Sequence, residues 1–509
     1  EEHAVAADPK PLKFEADDAY MRIRRLTSSR GSESNLAMTP GGDRVLFTAP
    51  GEEGPPSLVS VDHKGQDRKV ISPGPVLNVE VSLTGDRVVF VKSGAANTAP
   101  KSGGKVDTWA IEAQVEIETA RQQRQKFLEA ARVVGTNFYH NTLKGLDWNK
   151  LTQRYASLAE KTRTSDSFNR VVSMLFGELN GSHLGISGGG AGGGWTGPSV
   201  STGYLGVRVN PVAGGYKVTE VTPKGPADRA GSRLVIGDLI VEADGVVFEP
   251  DAAPTLDLNA ALEGTVGKET LLRIRSADGA PRLVLITPIN WGEWDRLRYE
   301  QIVQHRRDSV DTLSSGRLGY LHIRGMSEPS VRDFERDLYA SGKGKEGLII
   351  DVRDNGGGST ADILLSSLTA PVHAKTQPRG VDVADIPDDA YPRDRRLIYA
   401  WTRPINVLIN QNAFSNAEIF AHAIKTTGRG RLIGTATFGG VISTGGTTLI
   451  DGTAVRLPFR GWYLPDGTDQ ENNGAKPDVD VPQTPQDEAA GRDPQLEAAV
   501  MDLLSRLKK

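Results

Sequence analysis

The stretch Ile405-Asn406-Val407-Leu408-Ile409-Asn410, followed by Asn412-Ala413-Phe414-Ser415-Asn416-Ala417-Glu418-Ile419-Phe420-Ala421, decides the fold. Its first half is an apolar run of strand length. After Ser415 the apolar positions Ala417, Phe420, Ala421 and Ile424 fall at helical spacing. A strand, a short turn and a serine at the mouth of a helix follow from that pattern. Backbone N–H groups and the positive end of the helix dipole collect at such a mouth and favour an anion. A serine hydroxyl there can attack a carbonyl beside donors for the resulting oxyanion. The plainer reading is a capping box, Ser415-Asn416-Ala417-Glu418, in which Ser415 only caps the helix.

Working upstream, Gly347-Leu348-Ile349-Ile350-Asp351-Val352 is a second buried strand, ending in Arg353-Asp354-Asn355-Gly356-Gly357-Gly358. Leu318–Ile323 is a third strand and Ser330–Tyr339 a helix. Strands alternating with helices predict an α/β core over about 289–485. A glycine run at the end of such a strand lets the backbone approach a ligand closely. Asp351 and Asp354 lack the partners of a recognisable metal site, so no metal is expected.

The N-terminal part carries a repeat. Asn35–Phe47 is echoed by Asn78–Phe90, an offset of 43 residues (78 minus 35), against roughly 40–45 for a propeller blade. Each copy predicts a strand, a Gly-Asp turn and another strand, with Leu58–Val61 as a third. Two blades cannot close a propeller, so others are expected from a missing N-terminal part or a companion chain. Blades are assigned to 1–97. Ser93–Lys105, rich in Gly, Ala, Pro and Lys, reads as a linker, with 98–109 assigned to it. A helical domain is expected over 110–187, with faces Phe127/Ala131/Val134/Phe138, Trp148/Leu151/Tyr155/Leu158 and Phe168/Val171/Leu175/Leu179. It ends at Asn180-Gly181, with Ser182-His183 directly after. The glycine-rich run Gly188–Gly194, within a linker over 188–202, is no phosphate loop, because no Gly-Lys-Ser/Thr follows. The tail 486–509 predicts a helix with Leu496, Val500, Leu503 and Leu507 on one stripe, packed on the core or on a neighbouring subunit.

Composition narrows the functions. Among 509 residues, 38% are hydrophobic and 24% charged, the balance of a globular chain rather than a disordered one. A net charge of −4 carries no signature of polyanion binding, so nucleic acid is not an expected partner. With no cysteine, thiol catalysis, disulfides and iron–sulfur clusters are excluded. No apolar run approaches membrane-spanning length, so no membrane partner is expected. No signal peptide precedes Glu1, though one could have been removed.

Residues 203–288 change to short strands and turns. Tyr204-Leu205-Gly206-Val207, Pro223–Gly231 and Ile236-Gly237-Asp238-Leu239-Ile240 closely resemble a PDZ domain. PDZ domains add an extended peptide C-terminus as a strand. The resemblance implies that Tyr204, Leu205, Gly206 and Val207 line the carboxylate-binding groove; a PDZ fold used only as spacer or lid is the alternative.

With Gly319-Tyr320-Leu321-His322-Ile323, Asp351–Gly358 and Asn412–Glu418, the order of motifs over roughly 110–485 is similar to serine peptidases of the C-terminal processing and tricorn group. The blades favour tricorn. Processing peptidases carry a catalytic lysine in a Thr-Phe-Gly-Lys segment; here it reads Thr437-Phe438-Gly439-Gly440. Tricorn-like enzymes use a histidine preceded by serine and a late glutamate, which Ser182-His183 and Glu471 match. The resemblance thus implies Ser415 as nucleophile, His183 as base, and Ser182 and Glu471 as its orienting partners. Oxyanion donors would be the N–H groups of Asn416 and Gly357, with Gly356 the other candidate.

The expected molecule is a multidomain α+β serine peptidase with partial propeller blades, a helical domain, a PDZ domain and an α/β, crotonase-like core. It would hydrolyse unfolded proteins or oligopeptides without a cofactor. By resemblance it would be a cytoplasmic hexamer, an exported form remaining open. Its rivals are a non-catalytic PDZ scaffold and a Ser/Lys processing peptidase whose lysine comes from elsewhere, such as Lys425.

Overall fold

The computed structural model describes residues 19–27, 31–50, 55–111, 116–188, 200–248, 252–254, 257–371, 373–376, 379–385, 394–395 and 400–507. The chain divides into two compact units, Glu1–Ile117 and Glu118–Lys509.

The first unit holds two four-stranded antiparallel sheets. One is β1 (Ser34–Met38), β2 (Arg44–Ala49), β3 (Ser57–Asp62) and β4 (Lys69–Ser72); the other is β5 (Leu77–Val81), β6 (Arg87–Lys92), β7 (Ala95–Pro100) and β8 (Asp107–Trp109). The repeat is backbone-deep. Asn35 and Asn78 have φ of 53° and 50°, and Gly42 and Gly85 have φ of 68° and 75°. Leu46, Leu58, Ile71, Val88, Phe90 and Ala99 form the core. The expected linker Ser93–Lys105 is corrected: β7 runs through its middle, so the second sheet runs on to Trp109. Ser93 and Gly94 both have positive φ, 51° and 78°, the requirement of a tight two-residue hairpin turn. Small residues suit that strand, and Ala99 fits under the neighbouring strands with no exposure.

In the second unit, α1 (Thr119–Asn137), α2 (Trp148–Ala159) and α3 (Ser165–Gly177) pack around Phe127, Val134, Tyr155, Phe168 and Leu175. The second helix turns Tyr155, Ala156 and Ala159 inward and leaves Leu158 exposed, unlike the expected face. The helices are not freestanding. β9 (Gly185–Ser187) joins a hairpin from near the other end of the chain, and Leu449 and Val455 of that hairpin belong to the helices' own core. Buried Lys126 also reaches Asp451 there, at 2.6 Å. Of the glycine-rich run, all but Gly188 lies outside the described residues, as does most of the linker assigned to 188–202.

Next comes an antiparallel sheet of β10 (Val207–Val212), β11 (Gly215–Val221), β12 (Leu239–Ala243), β13 (Val246–Val247), β14 (Thr270–Arg275) and β15 (Pro281–Ile286), with the short helix α4 (Leu258–Ala261). Tyr204 and Ile289 bridge its two ends.

The remaining elements are α5 (Trp291–Leu313), β16 (Leu318–His322), α6 (Glu328–Gly342), β17 (Gly347–Asp351), α7 (Ala361–Thr369), a small pair β18 (Ala374–Lys375) and β19 (Asp394–Arg395), β20 (Ile405–Ile409), α8 (Asn416–Thr426), β21 (Arg431–Gly434), the hairpin β22 (Ile442–Thr448) and β23 (Ala454–Gly461), β24 (Val479–Asp480), α9 (Pro485–Ala489) and α10 (Pro494–Leu507). β16, β17, β20, β21 and β24 make a parallel sheet in that order. Alternate strand residues point to opposite faces. Leu348, Ile350, Val407 and Ile409 meet α6, α7 and α8, whereas Ile349, Leu408 and Ile433 meet α5 and α10. Both faces are covered, which is why these strands read as unbroken apolar runs. Leu496, Val500 and Leu503 of α10 are buried against this sheet, as the stripe predicts.

Candidate active site

β20 ends at Ile409 and the chain turns sharply before α8. Ser415, at the turn, has φ 58° and ψ −119°, a backbone conformation that costs a non-glycine residue about 1–3 kcal/mol. Fully buried Glu418 holds this bend. Its carboxylate accepts from Ser415 N–H at 3.0 Å, Thr437 Oγ1 at 2.6 Å, Gly440 N–H at 2.8 Å and the N–H of Gly439. Burial pushes its carboxyl above the ordinary range, against the pull of those bonds. The glutamate half of the capping box is therefore present, but the same carboxylate also pins the loop Thr437–Gly440. The sequence suggested only its capping role.

The Ser415 hydroxyl lies 3.0 Å from Nε2 of His183, a residue 232 positions earlier in the chain. His183 itself has φ 62°. Its Nδ1 is 2.7 Å from Ser182 Oγ, and Ser182 Oγ is 2.9 Å from Glu471 Oε2. The protons follow from this order. An ionised carboxylate only accepts, so Ser182 donates its single proton to Glu471 and accepts from Nδ1–H. That assigns the tautomer and leaves Nε2 with a lone pair towards Ser415. Glu471, 3% exposed, also accepts from Ser182 N–H at 2.5 Å and Val441 N–H at 2.8 Å.

Burial, and then the positive charge of Arg456, push the His183 imidazole down to about 4. Phe414 stacks on its ring, centroids 4.6 Å apart and planes 16° apart. Neither the Arg456 charge nor the Phe414 stack was visible in the sequence. The glycine loop is tied to the serine turn by Asp354, which accepts from Asn410 and Asn412 side chains at 2.9 and 2.8 Å. Asp351 is turned instead to Arg353, Arg306 and Tyr320. Among the described residues no cluster of three or more acidic or histidine side chains could hold a metal ion.

The backbone of Gly357 packs directly on Ser415: a Cβ there would come within 2.7 Å of Ser415 Cβ and 2.9 Å of Asn416 N. Its N–H, however, is engaged by Asn355 Oδ1 at 2.9 Å. The Cβ position of Gly356 meets open space. Asn416, the first residue of α8, anchors its side chain on Ala361 N–H at 2.8 Å.

The missing lysine has a steric counterpart. A Cβ on Gly440 would run into Cε2 of Phe414 and stand 3.0 Å from its Cδ2. The ring that stacks on His183 thus fills the space a side chain at 440 would need. Lys425 does not substitute. It lies ten residues beyond Ser415, about 15 Å along the helix, and binds Asp478 and the carbonyl of Lys476. Tyr204, Leu205 and Val207 line a groove of about 500 Å³ with Leu258 and Leu262; Gly206 does not line it, and neither do Ser182, His183, Ser415 or Glu471.

Residues 317–481 match the profile of peptidase family S41, and residues 119–177 that of the tricorn protease C1 domain. The chain is 31% identical to tricorn protease homolog 1 of Streptomyces coelicolor over 470 residues, 88% of this chain and 41% of that protein. It is 26% identical to the tricorn protease of Thermoplasma acidophilum, over 80% of this chain and 38% of that one. The chain thus spans about two fifths of the length of these relatives. A crystal structure of the tricorn protease superposes with a TM-score of 0.72 at 22% identity, covering 94% of this chain and 47% of the other. The α/β core thus matches peptidase family S41, and the relatives that the chain resembles over most of its length are tricorn proteases.

Proposed function

We propose that this chain is a tricorn-like serine endopeptidase that hydrolyses unfolded proteins or oligopeptides through Ser415, His183, Ser182 and Glu471. The unbroken run of hydrogen bonds from Glu471 to Ser415 carries this reading. Ser415 attacks the scissile carbonyl while Nε2 of His183 takes its proton and later returns it to the leaving amine. Ser182, backed by Glu471, fixes the tautomer and supports the imidazolium, the part an acidic member plays in a serine triad. Asn416 N–H supplies one oxyanion donor. The second is Gly356 N–H, or that of Gly357 once Asn355 lets it go. No cofactor takes part in these steps.

A fluorophosphonate probe tests this assignment. It is expected to label Ser415 in the wild type and to fail in His183→Ala, which removes the base. Labelling undiminished in His183→Ala excludes the tetrad. The pH profile is a second check. His183 works as a base only when neutral, so kcat/KM falls as pH drops through its pKa. With that value near 4 rather than the ordinary 6.5 or so, the rate is expected to hold between pH 5 and 7. Arg456→Gln removes a nearby positive charge and is expected to move the acid limb upward.

The sheet β10–β15 is read as a PDZ domain over 203–288, with the groove between Tyr204–Val207 and α4 taking a peptide C-terminus. Both backbone groups of Tyr204 already bond Ile289, which leaves Leu205, Gly206 and Val207 as the carboxylate donors. The two N-terminal sheets are read as propeller blades completed by further blades, the assembly as a hexamer, and the compartment as the cytoplasm. Among the described residues no helix is long and apolar enough to cross a membrane.

A further inference from the structure

We propose that Phe438, with Phe414 behind it, forms an apolar subsite for a bulky hydrophobic side chain of the substrate next to the scissile bond. The inference rests on the peptidase reading and adds a preference to it. Phe438 is 64% exposed although Thr437, Gly439 and Gly440 around it are buried. That exposure is not the looseness of a surface loop. Phe438 N–H bonds Ala413 O at 3.1 Å, Thr437 N–H bonds Ala475 O at 3.2 Å, and Glu418 grips Thr437, Gly439 and Gly440. The protein therefore holds a large apolar side chain out into solvent on a fixed backbone. A group ordered in advance loses little freedom on binding, so most of the burial is available for affinity.

Position identifies the occupant. The Phe438 ring stands edge-on to Phe414, centroids 5.1 Å apart at 82°, and Phe414 lies face to face with the His183 imidazole. The apolar wall thus begins at the group that takes the proton from Ser415. A residue of the peptide being cleaved is what comes that close during turnover; a protein partner seated there would cover the nucleophile. An apolar side chain on one of the two residues flanking the bond matches the wall, and a charged one would lose hydration against it.

The test uses matched fluorogenic peptides that differ only at those two positions, carrying Phe, Leu or Ala. The wild type is expected to favour Phe or Leu over Ala at one of them. Phe438→Ala is expected to shrink that kcat/KM ratio about tenfold, as loss of an apolar pocket wall does. Phe438→Leu is expected to keep most of it. An unchanged ratio, or an equal fall for every peptide, overturns the subsite. Failure of the peptidase reading gives a different signal: the wild type cleaves no peptide and Ser415 takes up no fluorophosphonate. In that event binding of the fluorescent Phe peptide decides, with about tenfold weaker affinity in Phe438→Ala supporting the subsite and equal affinity overturning it.

Discussion

Ser415→Ala is expected to lower peptide hydrolysis by roughly 10⁶ in kcat, the scale on which serine nucleophiles act. A residue that only caps a helix gives a different result: activity untouched and about 1 kcal/mol of stability lost. The geometry supports the first outcome. Glu418 already satisfies the backbone of the bend, and the Ser415 hydroxyl lies within hydrogen-bond reach of an imidazole from a distant part of the chain. The left-handed backbone at 415 adds a second readout. Ser415→Gly removes both hydroxyl and strain, so it is expected to be as inactive as Ser415→Ala but to melt higher. Initial rates and thermal unfolding of the three proteins check both statements. Retention of more than a hundredth of the wild-type rate by Ser415→Ala would falsify the nucleophile assignment.

Gly440→Lys is the second change with a large expected effect, and its direction discriminates between two chemistries. If this site worked as a Ser/Lys dyad awaiting its lysine, the substitution would supply one and rescue His183→Ala. The packing predicts the reverse. Any side chain at 440 meets the ring of Phe414, and that ring is stacked on the base. Displacement of a catalytic group by about 1 Å can cost 10²-fold in rate, so a fall of at least that size is expected for both Gly440→Lys and Gly440→Ala. Overpacking adds a loss of about 1–3 kcal/mol in stability. The double variant with His183→Ala is expected to stay inactive. Recovery of turnover in it would restore the dyad as a contender.

Much of this was legible in the residues, for reasons that differ from place to place. The strands Gly347–Asp351 and Ile405–Ile409 declared themselves because both their faces are covered, leaving no polar alternation. The N-terminal repeat survived as matching left-handed asparagines and glycines. The Ala-rich strand Ala95–Pro100 did not announce itself, since small residues resemble a linker until the Ser93-Gly94 turn is known to fold it back. Local pattern was silent on Glu471, an acid in a turn-rich segment that resemblance alone singled out. Ser182, which it holds, is 289 residues away, a pairing no short window can contain. Glu418 read as a cap because its bond to Ser415 is local, whereas its hold on Thr437–Gly440 is tertiary. Gly440 read as a gap in a motif, and only the aromatic ring beside it explains why nothing larger stands there.

The dependence of Ser182 on a carboxylate 289 residues further along has a bearing on biosynthesis. The ribosome delivers the imidazole long before the hydroxyl it must activate, and the anchoring acid comes later still. Under the proposed tetrad, a nascent chain holds no complete site until Glu471 has been made.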